Sequence, residues 1–199
     1  MTSLAIKDYS QFGEQRAILS AVPQTGKFLD IGAFHPTCFS NTRALYELGW
    51  GGVMIEPSPS PFLSLLDEYG NEPRITLINA ALGPDRCCVK FHCTDDAVST
   101  TDEGQYETWK AHAKFRGTYW APQFTLADLH NQFGGGYDFV NIDVEGGSLW
   151  LLGELLNSGA LPAVICVEYD SHMEEMKRLA ASKGYREVGF TQANLVFAR

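Results

Sequence analysis

The sequence predicts an α/β protein: a doubly wound, mostly parallel sheet with helices on both faces, a three-layer sandwich. Three observations predict it. Short β-branched or apolar runs alternate with longer helical ones, the last two runs are close enough to pair as a hairpin, and acidic or small residues end the strand-like runs. In sheets of this kind ligands bind outside the carboxyl ends of the strands, where the strand order reverses.

A helix over about 9–20 opens the chain. KFLDI (27–31) reads as the first strand, and a helix from Ser40 to Leu48 is stopped by Gly49. GVMIE (52–56) is the second strand; Pro59 and Pro61, flanked by Ser58 and Ser60, start a helix that ends at Gly70. ITLINA (75–80) is the third strand and RCCVKFH (86–92) a further edge strand. YDFVNID (137–143) and AVICVE (163–168) are the fourth and fifth strands, separated by the helix SLWLLGELLNSG and followed by a helix at 172–183. YREVGF and NLVFAR form the terminal hairpin. Residues 94–123 carry Trp109, Tyr119 and Trp120 without a clear period. That stretch is too long for a connection and reads as an active-site insertion or lid. With no linker or repeat, 1–199 is one domain.

The 199 residues are 45% hydrophobic and 12% aromatic, enough for a packed core. Fifteen Lys and Arg against 24 Asp and Glu give −9, which disfavours nucleic acid as a partner. No apolar run reaches membrane-spanning length and no signal core opens the chain. The expectation is a soluble, cytoplasmic domain without membrane contact. The five cysteines form no C-x-x-C and read as buried, reduced thiols, with no metal site.

The strand ends suggest a cofactor. Gly32 and Ala33, after Asp30, allow close approach of a ligand to the backbone. Glu56, 26 positions beyond Asp30, suits the two hydroxyls of a ribose, and Asn79-Ala80 could read an adenine edge. The turn after the first strand has one glycine and a proline, poor for pyrophosphate, and opens on an anion. Asp30 and Glu56 together favour a cationic ligand, S-adenosylmethionine, over a dinucleotide. Tyr106 and Lys110 have the spacing of a dehydrogenase pair, but the irregular insertion around them makes the match a coincidence.

Several segments resemble the FkbM family of S-adenosylmethionine-dependent methyltransferases: YSQFGE (9–14), FLDIGAFHPTCFSNTRALYELGWGGVMIEPSPSPF (28–62), LINAALG (77–83), TLADL (125–129) and FVNIDVEG (139–146). The resemblance implies a Rossmann-like, seven-stranded sheet with one antiparallel strand. It also implies cofactor contacts at Asp30, Gly32 and Ala33, with Glu56 on the ribose, and a hydroxyl acceptor on a sugar or small natural product. His35-Pro36 and Asn141 depart from the pattern, the latter standing where many relatives carry lysine.

On that basis Pro57 and Gln11 join the expected cofactor contacts, Gln11 closing over the cofactor from the N-terminal helix. Asp143 and Glu145 are the candidate general base and acceptor contact, two residues apart and on one side of an extended chain. Their bland role is to cap the next helix. His35 is a further candidate base, or a histidine bonded within its turn. Ser40 and Asn41 read as a helix N-cap. The partner expected is a carbohydrate-like small molecule; the oligomeric state is open, a homodimer being one option. Two rivals stand beside the methyltransferase: a non-catalytic cofactor-binding protein of the same fold, and a nicotinamide-dependent oxidoreductase lacking its phosphate-binding glycines.

Overall fold

A computed structural model of the chain describes residues 6–94 and 97–199. The main sheet has seven strands: β1 (Lys27–Ile31), β2 (Gly51–Ile55), β3 (Ile75–Ile78), β7 (Phe139–Ile142), β8 (Val164–Glu168), β9 (Arg186–Phe190) and β10 (Asn194–Ala198). Their order is β3-β2-β1-β7-β8-β10-β9. The first five are parallel, and β10 lies antiparallel to both β8 and β9, forming the hairpin with the latter. Strand order reverses between β1 and β7, which places a ligand crevice at their carboxyl ends.

The central strands are apolar on both faces because each successive side chain enters a different core. Phe28, Met54, Phe139 and Val164 pack with Ile18, Leu45, Leu65 and Tyr69. Those four residues come from α1 (Glu14–Ala21), α2 (Arg43–Glu47) and α3 (Pro59–Tyr69). Leu29, Val53, Val140 and Ile165 pack on the other side with α5 (Leu126–Phe133), α6 (Ser148–Asn157) and α7 (Met173–Ser182). Thr125 starts α5 with a capping box, its hydroxyl accepting from Asp128 N–H while Asp128 accepts from Thr125 N–H. No helix among the described residues is long and apolar enough to cross a membrane.

The insertion differs from expectation. RCCVKFH is not an edge of the main sheet: β5 (Cys87–Thr94) pairs antiparallel with β6 (Phe115–Phe124), and β4 (Ala81–Leu82) joins on the other side of β6. Between β5 and β6 lies α4 (Glu103–Trp109). The segment therefore holds regular structure whose period is hidden by its polar, half-exposed faces. Tyr106 sits on a helix after all, but its ring stacks on His92 and Lys110 pairs with Glu107.

Two helices are shorter than the sequence suggests. Residues 10–13 form bends ahead of Glu14, with Gly13 left-handed at φ 89°. Residues 40–42 form a loop before α2. The thiols correct the cysteine reading: Cys166 is buried, but Cys38, Cys87 and Cys88 are exposed. Cys87 and Cys88 open β5 at its exposed end, and Cys93 further along the strand is half-buried.

Candidate cofactor and active site

The crevice at the β1–β7 switch opens into a pocket lined from β1, β2, β7 and the insertion. Its β1 wall is Asp30, Gly32 and Ala33. Gly32 is left-handed at φ 82°, and its N–H and that of Ala33 both donate to Ile55 O at 3.0 Å. This folds the turn over the end of β2. A Cβ on Gly32 would lie 1.8 Å from the carbonyl oxygen of Asp143, so only glycine lets the β1 and β7 loops touch.

Asp30 is buried at 2% exposure and accepts from Thr42 Oγ1 at 2.5 Å and Asn141 Nδ2 at 2.9 Å. Burial still holds its carboxyl above the usual range. Asp30, Asn141 and Cys166 pair in register across β1, β7 and β8. Asn41 lies over this row, donating to Asn141 Oδ1 at 3.0 Å and Cys166 Sγ at 3.6 Å. Asn41 therefore belongs to the cavity wall and caps no helix, whereas Ser40 Oγ accepts from Arg43 N–H at 3.1 Å.

Glu56 is buried at the end of β2. Its Oε2 accepts from Phe34 N–H at 2.9 Å and its Oε1 from Ser58 N–H at 2.6 Å. Burial raises its pKa to about 6 against the pull of these bonds. Pro57 and Ala80 also line the cavity. Asn79 does not: its amide donates to Glu56 O at 2.8 Å and Pro57 O at 3.2 Å, and so pins the loop instead of reading a ligand edge. Tyr119 pins the same loop from the insertion, its hydroxyl donating to Pro57 O at 2.5 Å. Sequence reading missed this role, because cross-sheet contacts of an insertion leave no local pattern.

Gln11 reaches the cavity from the bends before α1. Glu14, by contrast, is buried and holds Thr191 Oγ1 and Asn194 Nδ2. Asp143 and Glu145 stand at the end of β7 in the cavity lining, with Asp143 N–H donating to Ile31 O at 2.9 Å. Burial raises Asp143 to about 6. His35 is not brought into the lining: its Nδ1 accepts from Thr37 N–H and Cys38 N–H at 3.1 and 3.0 Å, a turn role. The insertion supplies Phe91, Ser99, Thr100 and Thr101 to the wall, and Thr100 Oγ1 donates to Glu145 O at 2.7 Å.

Two acidic residues were passed over in the sequence. Glu168 ends β8 next to Asp143, and Asp170 follows it. One carboxyl oxygen each of Glu145, Glu168 and Asp170 lies within 4.8 Å of the others. The strand-end rule that picked out Asp30, Glu56 and Asp143 would have found Glu168 had it been extended to the fifth strand.

Among the described residues the cavity is lined by four carboxylates, Asp30, Glu56, Asp143 and Glu145, and by no Lys, Arg or His. Such walls repel phosphate and attract a cation. The model of the methyltransferase FkbM domain matches residues 30–187. The chain belongs to the FkbM methyltransferase family. Its cofactor is S-adenosylmethionine, and the carboxylate walls, the Gly32 turn and buried Glu56 fit that cation.

Among curated proteins none matches the chain. Among solved structures, the METTL16 MTase domain is 11% identical over 94% of this chain and 65% of its own, with a TM-score of 0.52. The precorrin-6y C5,15-methyltransferase of Geobacter metallireducens GS-15 is 14% identical over 98% and 91%, with a TM-score of 0.49. The SAH-bound methyltransferase PaMTH1 of Podospora anserina is 12% identical over 86% and 70%, with a TM-score of 0.47. At these identities likeness concerns the fold, and the first of the three supports it.

Proposed function

We propose that the chain methylates a hydroxyl oxygen on a sugar or small natural product, with Asp143 as general base. One observation carries this reading: a half-buried, raised carboxyl at the end of β7 opens into the same cavity as the hydroxyl-bearing wall of Ser99, Thr100 and Thr101. When bound, the cofactor supplies an electrophilic methyl group on a sulfonium.

The chain does the rest. Glu56 accepts from the ribose hydroxyls, Asp30 and the Gly32-Ala33 turn hold the cationic end, and Pro57, Ala80 and Gln11 close around it. The insertion wall orients a polyhydroxylated acceptor through hydrogen bonds, with Glu145 beside it. Asp143 takes the proton of the acceptor hydroxyl; a base placed in this way contributes roughly 10²–10⁴-fold. A pKa near 6 leaves most of Asp143 ionised at neutral pH while keeping it more basic than an ordinary aspartate.

Calorimetric titration with S-adenosylmethionine, its demethylated product and NADH tests the cofactor: the first two bind and the third does not. A panel of hydroxylated acceptors, scored by release of the demethylated product, tests the reaction. Asp143→Asn should lose turnover by at least a hundredfold while keeping cofactor affinity. Full turnover in Asp143→Asn would refute the base, and binding without turnover on any acceptor would favour the non-catalytic rival.

A further inference from the structure

Asp143 and Glu168 are neighbours by register. The β7–β8 ladder pairs Asn141 with Cys166 and Ile142 with Val167, so the next residue of each strand is a carboxylic acid. Glu145 and Asp170 follow, each two positions further on. Gly146 N–H goes to Asp170 Oδ2 at 3.0 Å. Glu168 Oε2 is shut off from solvent, and no donor among the described residues reaches it. A carboxylate anion left in that state keeps its full desolvation cost, whereas a protonated carboxyl brings its own donor.

We propose that Glu168 is a neutral carboxylic acid in the working enzyme and donates its proton as a hydrogen bond to Asp143, holding Asp143 as the carboxylate that receives the acceptor's proton. Glu168 is thus a positioning residue, and its role rests on the reading of Asp143 as base. The surrounding charges agree with the geometry. Burial, then the negative charges of Asp143, Glu145 and Asp170, keep Glu168 well above the carboxylate range. The bond from Glu168 lowers Asp143 against burial and the charges of Asp170, Asp30 and Glu14. Asp170, itself raised by burial, is lowered by the Gly146 N–H, by His172 and by a hydrogen bond with Glu168, and raised by Asp102.

The test is infrared titration of the full, cofactor-free chain from about pH 5 to pH 8, bracketing the carboxyl range. A protonated-carboxyl band should persist at neutral pH and be missing from Glu168→Gln. The Asp143 band, assigned with Asp143→Asn, should keep its midpoint in Glu168→Gln, whose amide donates the same bond. In Glu168→Leu that midpoint should rise by about one pH unit, the size of a lost bond to a charged group. A residue serving only to fill space would give equal midpoints in the two variants. The proposal is overturned if no neutral-pH band belongs to Glu168, if Glu168→Gln and Glu168→Leu titrate alike, or if added Mg²⁺ abolishes the band and makes the cluster a cation site. The band does not depend on turnover, so an active Asp143→Asn would refute the base assignment without touching the protonation of Glu168.

Discussion

Two glycines with nearly the same backbone separate the cost of conformation from the cost of close approach. Gly32 and Gly159 sit at φ 82° and 80°. A Cβ on Gly159 meets nothing within 4 Å, whereas a Cβ on Gly32 lies 1.8 Å from Asp143 O. Gly159→Ala should therefore lose only the left-handed penalty, about 1–2 kcal/mol. Gly32→Ala carries the same penalty and must also push the β7 loop back by more than 1 Å to reach even the 3.0 Å that real Cβ atoms observe. The obstacle is backbone, and it is tied: Asp143 N–H bonds Ile31 O at 2.9 Å and Gly32 N–H bonds Ile55 O at 3.0 Å. Losing one or both adds about 0.5–1.5 kcal/mol each, for a total of roughly 1.5–5 kcal/mol. Urea unfolding of both variants measures the difference, and calorimetry with S-adenosylmethionine should show lost affinity for Gly32→Ala alone. Equal destabilisation of the two variants, or unchanged affinity in Gly32→Ala, would refute the claim that this glycine exists to bring the β1 and β7 loops together.

Three further outcomes follow from the same geometry. Glu56 is raised from its ordinary 4.5 to about 6. A raised folded-state value contributes stability that is present below the unfolded value and is lost as pH rises through 6. Thermal melts of the cofactor-free chain should therefore show this contribution falling between about pH 4.5 and 6, wild type against Glu56→Gln, while cofactor affinity gains over the same range as the carboxylate forms. Tyr119→Phe removes the bond to Pro57 O and should weaken cofactor binding several-fold at a stability loss of about 1 kcal/mol, read by calorimetry and urea unfolding. Thiol labelling of the native chain should modify Cys38, Cys87 and Cys88 quickly and Cys166 only on unfolding, as peptide mapping would show.

The fold was legible because both signals that encode it are local. Runs such as VMI (53–55) and VICV (164–167) are apolar on both faces because each strand feeds two cores, and Gly49, Pro59 and Gly70 punctuate them. The insertion was not legible. In β6, Arg116, Gly117 and Thr118 are exposed and Trp120 is 70% exposed, so pairing with β5 supplies the order that burial would otherwise have written into the sequence. Asn79 shows a related difficulty. A strand-end amide facing a ligand and one pinning the neighbouring loop carry the same letter, and only the 2.8 Å bond to Glu56 O tells them apart.

The candidate site was read from the sequence one strand at a time, whereas its chemistry is written across strands. In a parallel sheet, register carries a residue's neighbours sideways: Asp30, Asn141 and Cys166 form one row, and Asp143 and Glu168 begin the next. The lower row explains the departure at Asn141. Its amide spans the buried carboxylate of Asp30 at 2.9 Å and the amide of Asn41 at 3.0 Å, two opposite demands that a lysine at the same place could not both meet. With Asp30 thus satisfied by Thr42 and Asn141 from within the wall, the charge left to face a cation is its own. The upper row has no such amide, only acids, so the charge problem that Asn141 resolves below is left there to a proton. Under the proposed reading the two rows divide the work: the lower would hold the cofactor's cationic end, and the upper would hold the base.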